Sequence, residues 1–137
     1  MNKLKMFCIT LNPDHVDYIK SLNYTPVVLG NKNSSSHILG DKKGDNISHK
    51  NKYYGEYTFH YWLWKNNLNN INENWIGFCQ YRKFWSLNFS SNDQINLKNL
   101  KNKTLKDIPD ELDKFEVILG DPFFVNQRKI MKFLKKG

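Results

Sequence analysis

Residues 3–29 have the sequence KLKMFCITLNPDHVDYIKSLNYTPVVL. The first apolar run in this stretch stops at Asn12-Pro13-Asp14. An N-cap asparagine, a proline at the first helical position and an acid in the first turn are typical of a helix start. We expect this helix to run from Pro13 to about Leu22, and we expect a second strand from Thr25 to Leu29. A strand, a short helix and a second strand in so short a stretch predict the opening of a parallel α/β sheet.

A long polar loop and an aromatic helix follow. Residues 30–51 are dominated by Gly, Asn, Ser, Lys and Asp, a composition typical of either a mobile segment or a binding loop. Residues 52–67 are expected to form a helix, with Asn51 as its N-cap. Apolar and aromatic residues lie on nearly every face of this helix, which predicts that it is buried on more than one side.

Three further elements complete the predicted fold. Residues 75–81 form a continuous apolar run after a polar turn, which predicts a third parallel strand. Residues 115–119 are expected to form a fourth strand, and residues 126–136 a basic amphipathic helix. A chain of 137 residues suffices for one compact domain and is too short for two ordinary ones. The predicted fold class is therefore α/β, a single domain over residues 1–137 with a parallel-core sheet flanked by helices.

The chain is basic, with a formal net charge of +8 and a pI near 9.4. Such a charge is often found in proteins that bind nucleic acids or anionic surfaces. Here all but two of the 21 basic residues are lysines and alanine is absent, which is the composition of an AT-rich coding sequence. Because nucleic-acid modules tend to concentrate arginines, we do not expect a nucleic-acid partner.

The cysteines and the apolar runs bear on the compartment. Cys8 and Cys79 lie too far apart in sequence for a C-x-x-C metal or redox site, so they indicate a reducing compartment. No apolar run approaches the roughly 20 residues of a transmembrane helix, and residues 1–11 lack the pattern of a signal peptide. We expect a cytoplasmic location, with peripheral association at the cytoplasmic face of the inner membrane as an open alternative.

The expected site lies at the carboxyl ends of the parallel strands, because ligands of open parallel sheets bind there. These ends supply Thr10, Asn12 and the run from Gln80 to Lys83. The polar loop is expected to bring Asp45 and Asn46 to the same rim. Amides, hydroxyls, carboxylates and cations in one place suit a sugar nucleotide, with carboxylate or amide groups for the ribose and base and cations for the diphosphate.

Arg82 is the leading candidate, since it is one of two arginines in the chain and directly follows an apolar strand. A guanidinium there can hold two phosphates and stabilise the charge on a departing nucleoside diphosphate. A surface ion pair is an equally simple role for it. For Asp45 and Asn46 the alternative is an Asx-turn or a helix cap. For the aromatic residues of the 52–67 helix, burial in the core is favoured over stacking on a sugar or base.

Several ordered motifs carry a resemblance to a known family. They are Gly44-Asp45-Asn46-Ile47-Ser48, Lys50-Asn51, Tyr54, Glu56-Tyr57-Thr58, Tyr61-Trp62-x-Trp64-Lys65-Asn66 and Trp75-Ile76-Gly77-Phe78-Cys79-Gln80-Tyr81-Arg82-Lys83-Phe84. The sequence resembles a bacterial family, long labelled a domain of unknown function, of glycosyltransferases from capsular and exopolysaccharide gene clusters. The resemblance covers nearly the whole chain and implies a Rossmann-like fold of the GT-A type.

The resemblance implies transfer of a sugar from a nucleotide-diphospho-sugar donor to a polysaccharide or glycan acceptor. Gln80, Tyr81 and Arg82 are the candidate catalytic residues. Arg82 and Lys83 would hold the diphosphate, while Gln80 and Tyr81 would shape the sugar pocket. The nucleoside would be seated by Thr10, Asn12, Asp45 and Asn46.

The sequence departs from the family pattern at several points. Gln80 stands where the family usually has a histidine, so a titratable group is lost. Members are considerably longer, so we expect an N-terminal portion of the family domain. GT-A enzymes typically hold Mn²⁺ or Mg²⁺ with an Asp-x-Asp pair after a strand, and the sequence has no such pair. A divalent metal stays open, and the fixed charges of Arg82 and Lys83 are the alternative.

Two other functions stay open beside the enzyme. One is a non-catalytic remnant that binds a nucleotide sugar without turnover. The other, less favoured, is a basic module that binds nucleic acid or a membrane surface. The oligomeric state is not predicted.

Overall fold

The computed structural model of the chain describes residues 2–30, 37–87 and 96–121, which contain a sheet and the helices that cover it. The strands are β1 (Asn2–Thr10), β2 (Thr25–Val28), β3 (Trp75–Gln80) and β4 (Asp107–Ile108). The helices are α1 (Val16–Ser21), α2 (Asn51–Tyr54), α3 (Tyr57–Asn66) and α4 (Leu97–Lys103). Strand β1 is central, with β2 and β3 parallel to it on either side, and β4 pairs antiparallel with its first residues.

Strand β1 separates two hydrophobic cores because its side chains alternate between the faces of the sheet. Met6 and Cys8 point into the core beneath α1, which we call core A, and Phe7 and Ile9 point into the core beneath α3, which we call core B. Both faces are therefore covered, as expected for a parallel strand that is a continuous apolar run. Core A contains Met6, Cys8, Ile19, Leu22, Tyr24, Cys79 and Leu100. Core B contains Phe7, Ile9, Val27, Leu29, Phe59, Trp62 and Leu63.

The predicted opening of the sheet is confirmed. The side-chain oxygen of Asn12 accepts a hydrogen bond from the backbone N–H of Asp14 at 3.1 Å, and a 3₁₀ turn over Pro13–His15 leads into α1. The helix ends before Asn23, whose φ of 63° lies in the left-handed region that asparagine tolerates better than most residues. Strand β2 follows at the predicted place.

The single helix predicted over residues 52–67 is wrong. The chain forms two helices, α2 and α3, separated by Gly55, which has φ 55° and ψ −128°. A glycine adopts this conformation without the steric cost that a Cβ would add. Asn51 does not cap the helix as predicted: its amide donates to the Gly55 carbonyl at 2.9 Å and to Thr58 Oγ1 at 3.0 Å, across the break.

The predicted burial of this region on more than one side is also only partly found. Phe59, Trp62 and Leu63 are buried in core B, whereas Tyr57 and Trp64 are 63% and 59% exposed. Tyr53 and Tyr54 in α2 are exposed as well. The reason is that α3 covers the sheet with one face and no described element covers the opposite face.

The fourth strand predicted over residues 115–119 is wrong, because this segment has no regular structure. It lies opposite β3 across a cavity of about 880 Å³. The indole N–H of Trp85 donates to the Phe78 carbonyl at 2.8 Å, so the side chain of Trp85 satisfies a β3 carbonyl that another strand could have used. The helix predicted over residues 126–136 lies outside the described residues.

The order of the strands places a switch point between β1 and β3. From β1 the chain crosses through α1 to β2 on one side, and it returns through α3 to β3 on the other side. The helices that precede β2 and β3 therefore cover opposite faces of the sheet. The predicted α/β class is confirmed: the chain has a Rossmann-like parallel-core sheet flanked by helices. In such sheets ligands bind beyond the carboxyl ends of the strands at the switch point.

Candidate functional site

A cleft of about 710 Å³ lies at the carboxyl ends of β1 and β3, at the switch point. It is lined by the end of β1 and the turn that precedes α1 on one side, and by the turn after β3 on the other. The break between α2 and α3 closes a third side through Gly55 and Glu56. Of the residues predicted from sequence, the cleft brings together Thr10, Asn12, Gln80, Tyr81, Arg82 and Lys83.

A stacked pair of rings joins the two strand ends. The backbone N–H of Tyr81 donates to the Ile9 carbonyl at 2.9 Å, which extends the pairing of β1 with β3. The imidazole of His15 stacks on the Tyr81 ring with 3.6 Å between the centroids. Nδ1 of His15 lies 2.8 Å from Thr10 Oγ1, which also accepts the Asn12 backbone N–H at 3.1 Å. These contacts fix the β1 side of the cleft relative to the β3 side.

The turn after β3 presents two cations at the rim. The Lys83 backbone N–H donates to the Gln80 carbonyl at 2.8 Å, which closes a tight turn. Arg82 lies within this turn at φ 89°, a conformation that costs a non-glycine residue roughly 1–3 kcal/mol and that clusters at functional sites. The side chains of Arg82 and Lys83 are both exposed and line the cleft. They supply fixed positive charge where a diphosphate would need it.

Glu56 lies at the third side of the cleft and contacts the end of β3. The side-chain amide of Gln80 donates a short hydrogen bond to Oε2 of Glu56. Glu56 directly follows Gly55 and directly precedes α3, so the break in the helix determines where its carboxylate lies. In the sequence, Glu56 belongs to one of the motifs of the family resemblance and was not among the predicted site residues.

A buried network supports the break. Asp41 is 1% exposed, and its carboxylate accepts a hydrogen bond from Thr58 Oγ1 at 2.5 Å. Thr58 Oγ1 is also 3.0 Å from the Gly55 carbonyl. This network ties the polar loop to the start of α3, and it includes the Asn51 contacts described above. Asp41 therefore acts on the cleft indirectly, by holding the backbone that carries Glu56.

Asp45 and Asn46 do not line the cleft, so the predicted grouping of these residues with Arg82 is not found. The Asp45 backbone N–H donates to Asn66 Oδ1 at 3.0 Å, and Asn66 is the last residue of α3. Glu56 precedes the other end of this helix, about 15 Å away for ten residues at 1.5 Å each. Asn46 forms a local turn, in which its side-chain oxygen accepts the Ser48 backbone N–H at 3.2 Å. The Asx-turn alternative describes Asn46 correctly.

The described residues contain no group of three or more His, Cys, Asp or Glu side chains that could hold a metal ion. Mn²⁺ or Mg²⁺ therefore stays an untested prediction. Cys8 and Cys79 are free, buried and opposite each other on β1 and β3. A hydrogen bond with Cys8, together with burial, raises the pKa of the Cys79 thiol far above its ordinary value, so Cys79 is a poor nucleophile.

Sequence reasoning missed His15, Glu56 and Asp41. The signal for Glu56 was the glycine before it, since an isolated glycine within a helical pattern can mark a break. The signal for His15 was its place directly after the helix start Asn12-Pro13-Asp14, which indicates a position just beyond the end of the first strand. Asp41 gave no signal, because a carboxylate within a polar loop is ordinarily solvated.

Residues 8–136 match a family described as "Domain of unknown function (DUF4422)". The chain belongs to this family. No curated protein matches the DUF4422 chain. A solved structure titled "WbbM bifunctional glycosytransferase apo structure" is similar to it, with 33% sequence identity and a TM-score of 0.48. The match covers 69% of this chain and 16% of that one, so the DUF4422 chain spans about one sixth of the length of that protein.

None of the helices in the described part of the DUF4422 chain has the length and apolar character that crossing a membrane requires.

Proposed function

We propose that the cleft between β1 and β3 binds a nucleotide-diphospho-sugar and that the protein acts in glycosyl transfer to a glycan acceptor. One observation carries this proposal. Thr10 and Asn12 at the end of β1 line the same cleft as the two cations in the turn after β3.

The chemistry of the cleft fits the parts of such a donor. Arg82 and Lys83 would bind the diphosphate, and they would stabilise the charge that develops on it when the bond to the sugar breaks. Thr10 and Asn12 would contact the nucleoside from the β1 side. Gln80 and Tyr81 would border the sugar. Asp45 and Asn46 have no part in this proposal, because they lie at the far end of α3.

The two free cysteines support a reducing, cytoplasmic compartment. The acceptor implied by the family resemblance is a growing capsular polysaccharide or exopolysaccharide. A second candidate function, binding without turnover, is favoured by one observation: Gln80 gives the lining of the cleft an amide, which cannot act as an acid or base near neutral pH.

Peripheral association with the inner membrane is supported by the outer face of α3. Tyr57, Tyr61 and Trp64 follow one another at helical spacing, and Tyr57 and Trp64 are more than half exposed. The ammonium group of Lys65 lies 3.7 Å from the centre of the Trp64 ring. Aromatic rings with polar tips beside lysines suit the boundary between an anionic lipid headgroup layer and water.

A binding titration tests the proposed donor site. We would titrate the full chain with UDP, GDP, CDP and dTDP, and with UDP-sugars, by isothermal calorimetry. We expect one nucleotide to bind, and we expect Arg82→Ala to weaken its binding about tenfold or more, since a charge-assisted hydrogen bond contributes roughly 1.5–3 kcal/mol.

Asp45→Ala is the matched control, because Asp45 lies outside the cleft. Unchanged affinity in Arg82→Ala, or an equal loss in Asp45→Ala, would contradict the proposed donor site. If the chain binds any polyanion with an affinity that falls steeply with salt concentration, and does not bind nucleotides, the basic binding module would be favoured instead. A transfer or hydrolysis assay with the bound donor separates the enzyme from the non-catalytic remnant.

A further inference from the structure

A second, smaller cavity opens directly beside the donor cleft. Its volume is about 400 Å³, within the range of roughly 300–1,000 Å³ typical of small-molecule sites. Glu56, Gln80 and Lys83 line both this cavity and the donor cleft. The two cavities therefore share these three side chains as a common border.

The remaining wall of the small cavity is largely aromatic. Phe84 and Trp85 form part of it, and Phe78 completes the apolar surface. Trp85 is held in place, because its indole N–H donates to the Phe78 carbonyl at 2.8 Å and its own carbonyl accepts the Leu105 N–H at 2.8 Å. A pocket with rigid aromatic walls and a few polar groups at one end is suited to a sugar ring, which has apolar C–H faces and a polar edge.

The polar groups at this border include a carboxylate that is held by an amide. The Glu56 carboxylate is held through Oε2 by the Gln80 amide, and it lies on the border between the two cavities. Among residues 2–30, 37–87 and 96–121, no lysine or arginine forms an ion pair with it. A carboxylate oxygen is a group that can accept a proton from a bound hydroxyl in general base catalysis. The charged and titratable groups on the neighbouring elements are Lys83 in the turn after β3, His60 on α3 and Cys79 on β3.

We propose that the small cavity is the acceptor subsite for a sugar hydroxyl, and that Glu56 is the base that deprotonates this hydroxyl; the inference rests on the proposed donor function. The acceptor O–H bond breaks and its proton goes to Glu56. The acceptor oxygen forms a bond to the anomeric carbon of the donor sugar. The bond from that carbon to the diphosphate breaks, and its electron pair leaves with the diphosphate, which Arg82 and Lys83 hold.

Within this proposal Gln80 is a positioning residue, because it acts through Glu56. A purely structural role for Glu56 is the competing explanation, since a carboxylate before the first turn of a helix is stabilised by the helix dipole. The two roles differ in what Glu56→Gln does. Loss of a structural charge lowers the free energy of unfolding. Loss of a base lowers the transfer rate at unchanged stability and removes the pH dependence of that rate.

Acceptor binding is tested first, independently of turnover. The full chain, labelled with ¹⁵N and loaded with the nucleoside diphosphate that it binds, would be titrated with methyl glycosides of glucose, galactose, mannose, rhamnose and N-acetylglucosamine and followed by ¹H–¹⁵N correlation NMR. We expect one glycoside to bind and to shift the Trp85 indole signal. Phe84→Leu, which keeps an apolar side chain but removes the ring face, should weaken this binding at least threefold.

The base is tested with Glu56→Gln, and Glu111→Gln serves as the matched control because Glu111 is exposed and lines neither cavity. We expect Glu56→Gln to keep its melting temperature and its nucleotide affinity within twofold. Its transfer rate should fall at least 100-fold, and the acidic limb of the kcat/KM profile should disappear. Glu56→Asp should recover part of the rate.

The failures are distinguishable. If no nucleotide binds, the proposed donor function itself is wrong. If a nucleotide binds but no glycoside does, or if Phe84→Leu leaves glycoside binding unchanged, the acceptor subsite is wrong. If both ligands bind and the wild type has no transfer activity, the base assignment is wrong. It is also wrong if Glu56→Gln keeps the wild-type transfer rate, or if its nucleotide affinity falls as much as its transfer rate.

Discussion

The imidazole of His15 lies nearly flat on the phenol ring of Tyr81, with the ring centroids 3.6 Å apart and the planes inclined by 14°. His15 comes from the segment after β1 and Tyr81 from the end of β3, so this contact spans the switch point of the sheet. The rigidity of the cleft therefore depends on a stacking interaction between two strand ends.

We predict that His15→Ala weakens nucleotide binding by about threefold to tenfold, because the freed Tyr81 must be ordered when the ligand binds, at roughly 0.5–1.5 kcal/mol per side chain. Calorimetric titration measures this loss. His15→Phe is the control: it keeps the stacked ring and removes only the contact with Thr10. An equal loss in His15→Phe would mean that the Thr10 contact, and not stacking, is what the ligand requires.

We predict that Arg82→Gly is more stable than Arg82→Ala, although the two variants bind nucleotide equally weakly. The φ of 89° at Arg82 is accessible to glycine without strain. Arg82→Gly should therefore be about 1 kcal/mol more stable than Arg82→Ala, although both lose the guanidinium and bind nucleotide equally weakly. Urea denaturation of the two variants gives the free energies of unfolding. Equal stabilities would indicate that the turn relaxes in solution.

We predict that His60 makes the free energy of unfolding depend on pH. Burial lowers the pKa of the His60 imidazole, an effect that the nearby Glu56 carboxylate partly offsets. Because the unfolded chain takes up this proton at a higher pH than the folded chain, stability should fall as the pH drops below about 6.5, the ordinary histidine value. Above that pH both states are neutral at His60 and the effect vanishes.

Urea denaturation between pH 5.5 and 7.5 measures this slope. The control variant is His60→Phe, which keeps a ring against Phe78 and removes Nε2, a buried atom with no hydrogen-bond partner among the described residues. It should be no less stable than the wild type at pH 7.5 and should lose part of the slope. An unchanged slope would assign the pH dependence to other groups.

We predict that Tyr24→Phe destabilises the protein by about 1–2 kcal/mol. The Tyr24 hydroxyl donates to the Leu105 carbonyl at 2.6 Å within core A, and burial raises the pKa of this phenol well above its ordinary value. Removing the hydroxyl leaves a buried acceptor without its donor, at a cost of roughly 1–3 kcal/mol. Thermal unfolding measures the change. Tyr53→Phe, at a residue that is 75% exposed, should change little.

We predict that the outer face of α3 binds anionic vesicles. Co-sedimentation with vesicles that contain 30 mol% phosphatidylglycerol should decrease several-fold when Tyr57 and Trp64 are both replaced by serine, because less apolar surface enters the headgroup layer. Lys114→Ser, at an exposed lysine away from this face, is the control. Equal binding by the double variant would exclude this face as the membrane contact.

The sequence predicted the parts of the fold that depend on local signals. The Asn12-Pro13-Asp14 start and the apolar runs of β1, β2 and β3 act over a few residues, so their patterns sufficed. The break at Gly55 had a local signal in the glycine itself, whereas the exposure of Trp64 depends on which side of α3 meets the sheet. The sequence pattern does not indicate which face of α3 packs on the sheet, because aromatic residues occur all around the helix.

The same distinction applies to the site. The sequence predicted that Thr10 and Arg82 lie in the site, because strand direction alone determines which residues lie at the carboxyl edge of a parallel sheet. Asp45 was misplaced because the position of a long loop depends on tertiary contacts, here with Asn66. Residues 115–119 have the apolar composition of a strand, but pairing needs a free neighbour, and the Trp85 side chain has taken the Phe78 carbonyl.

The alternation of β1 between cores A and B has a consequence for protein engineering. A substitution at Ile19 disturbs only side chains beneath α1, and one at Leu63 only those beneath α3, since the sheet lies between them. Such distant changes should combine additively in their effects on the free energy of unfolding. Each layer can therefore be redesigned by separate combinatorial libraries, and the best solutions can be joined in one gene without a second round of optimisation.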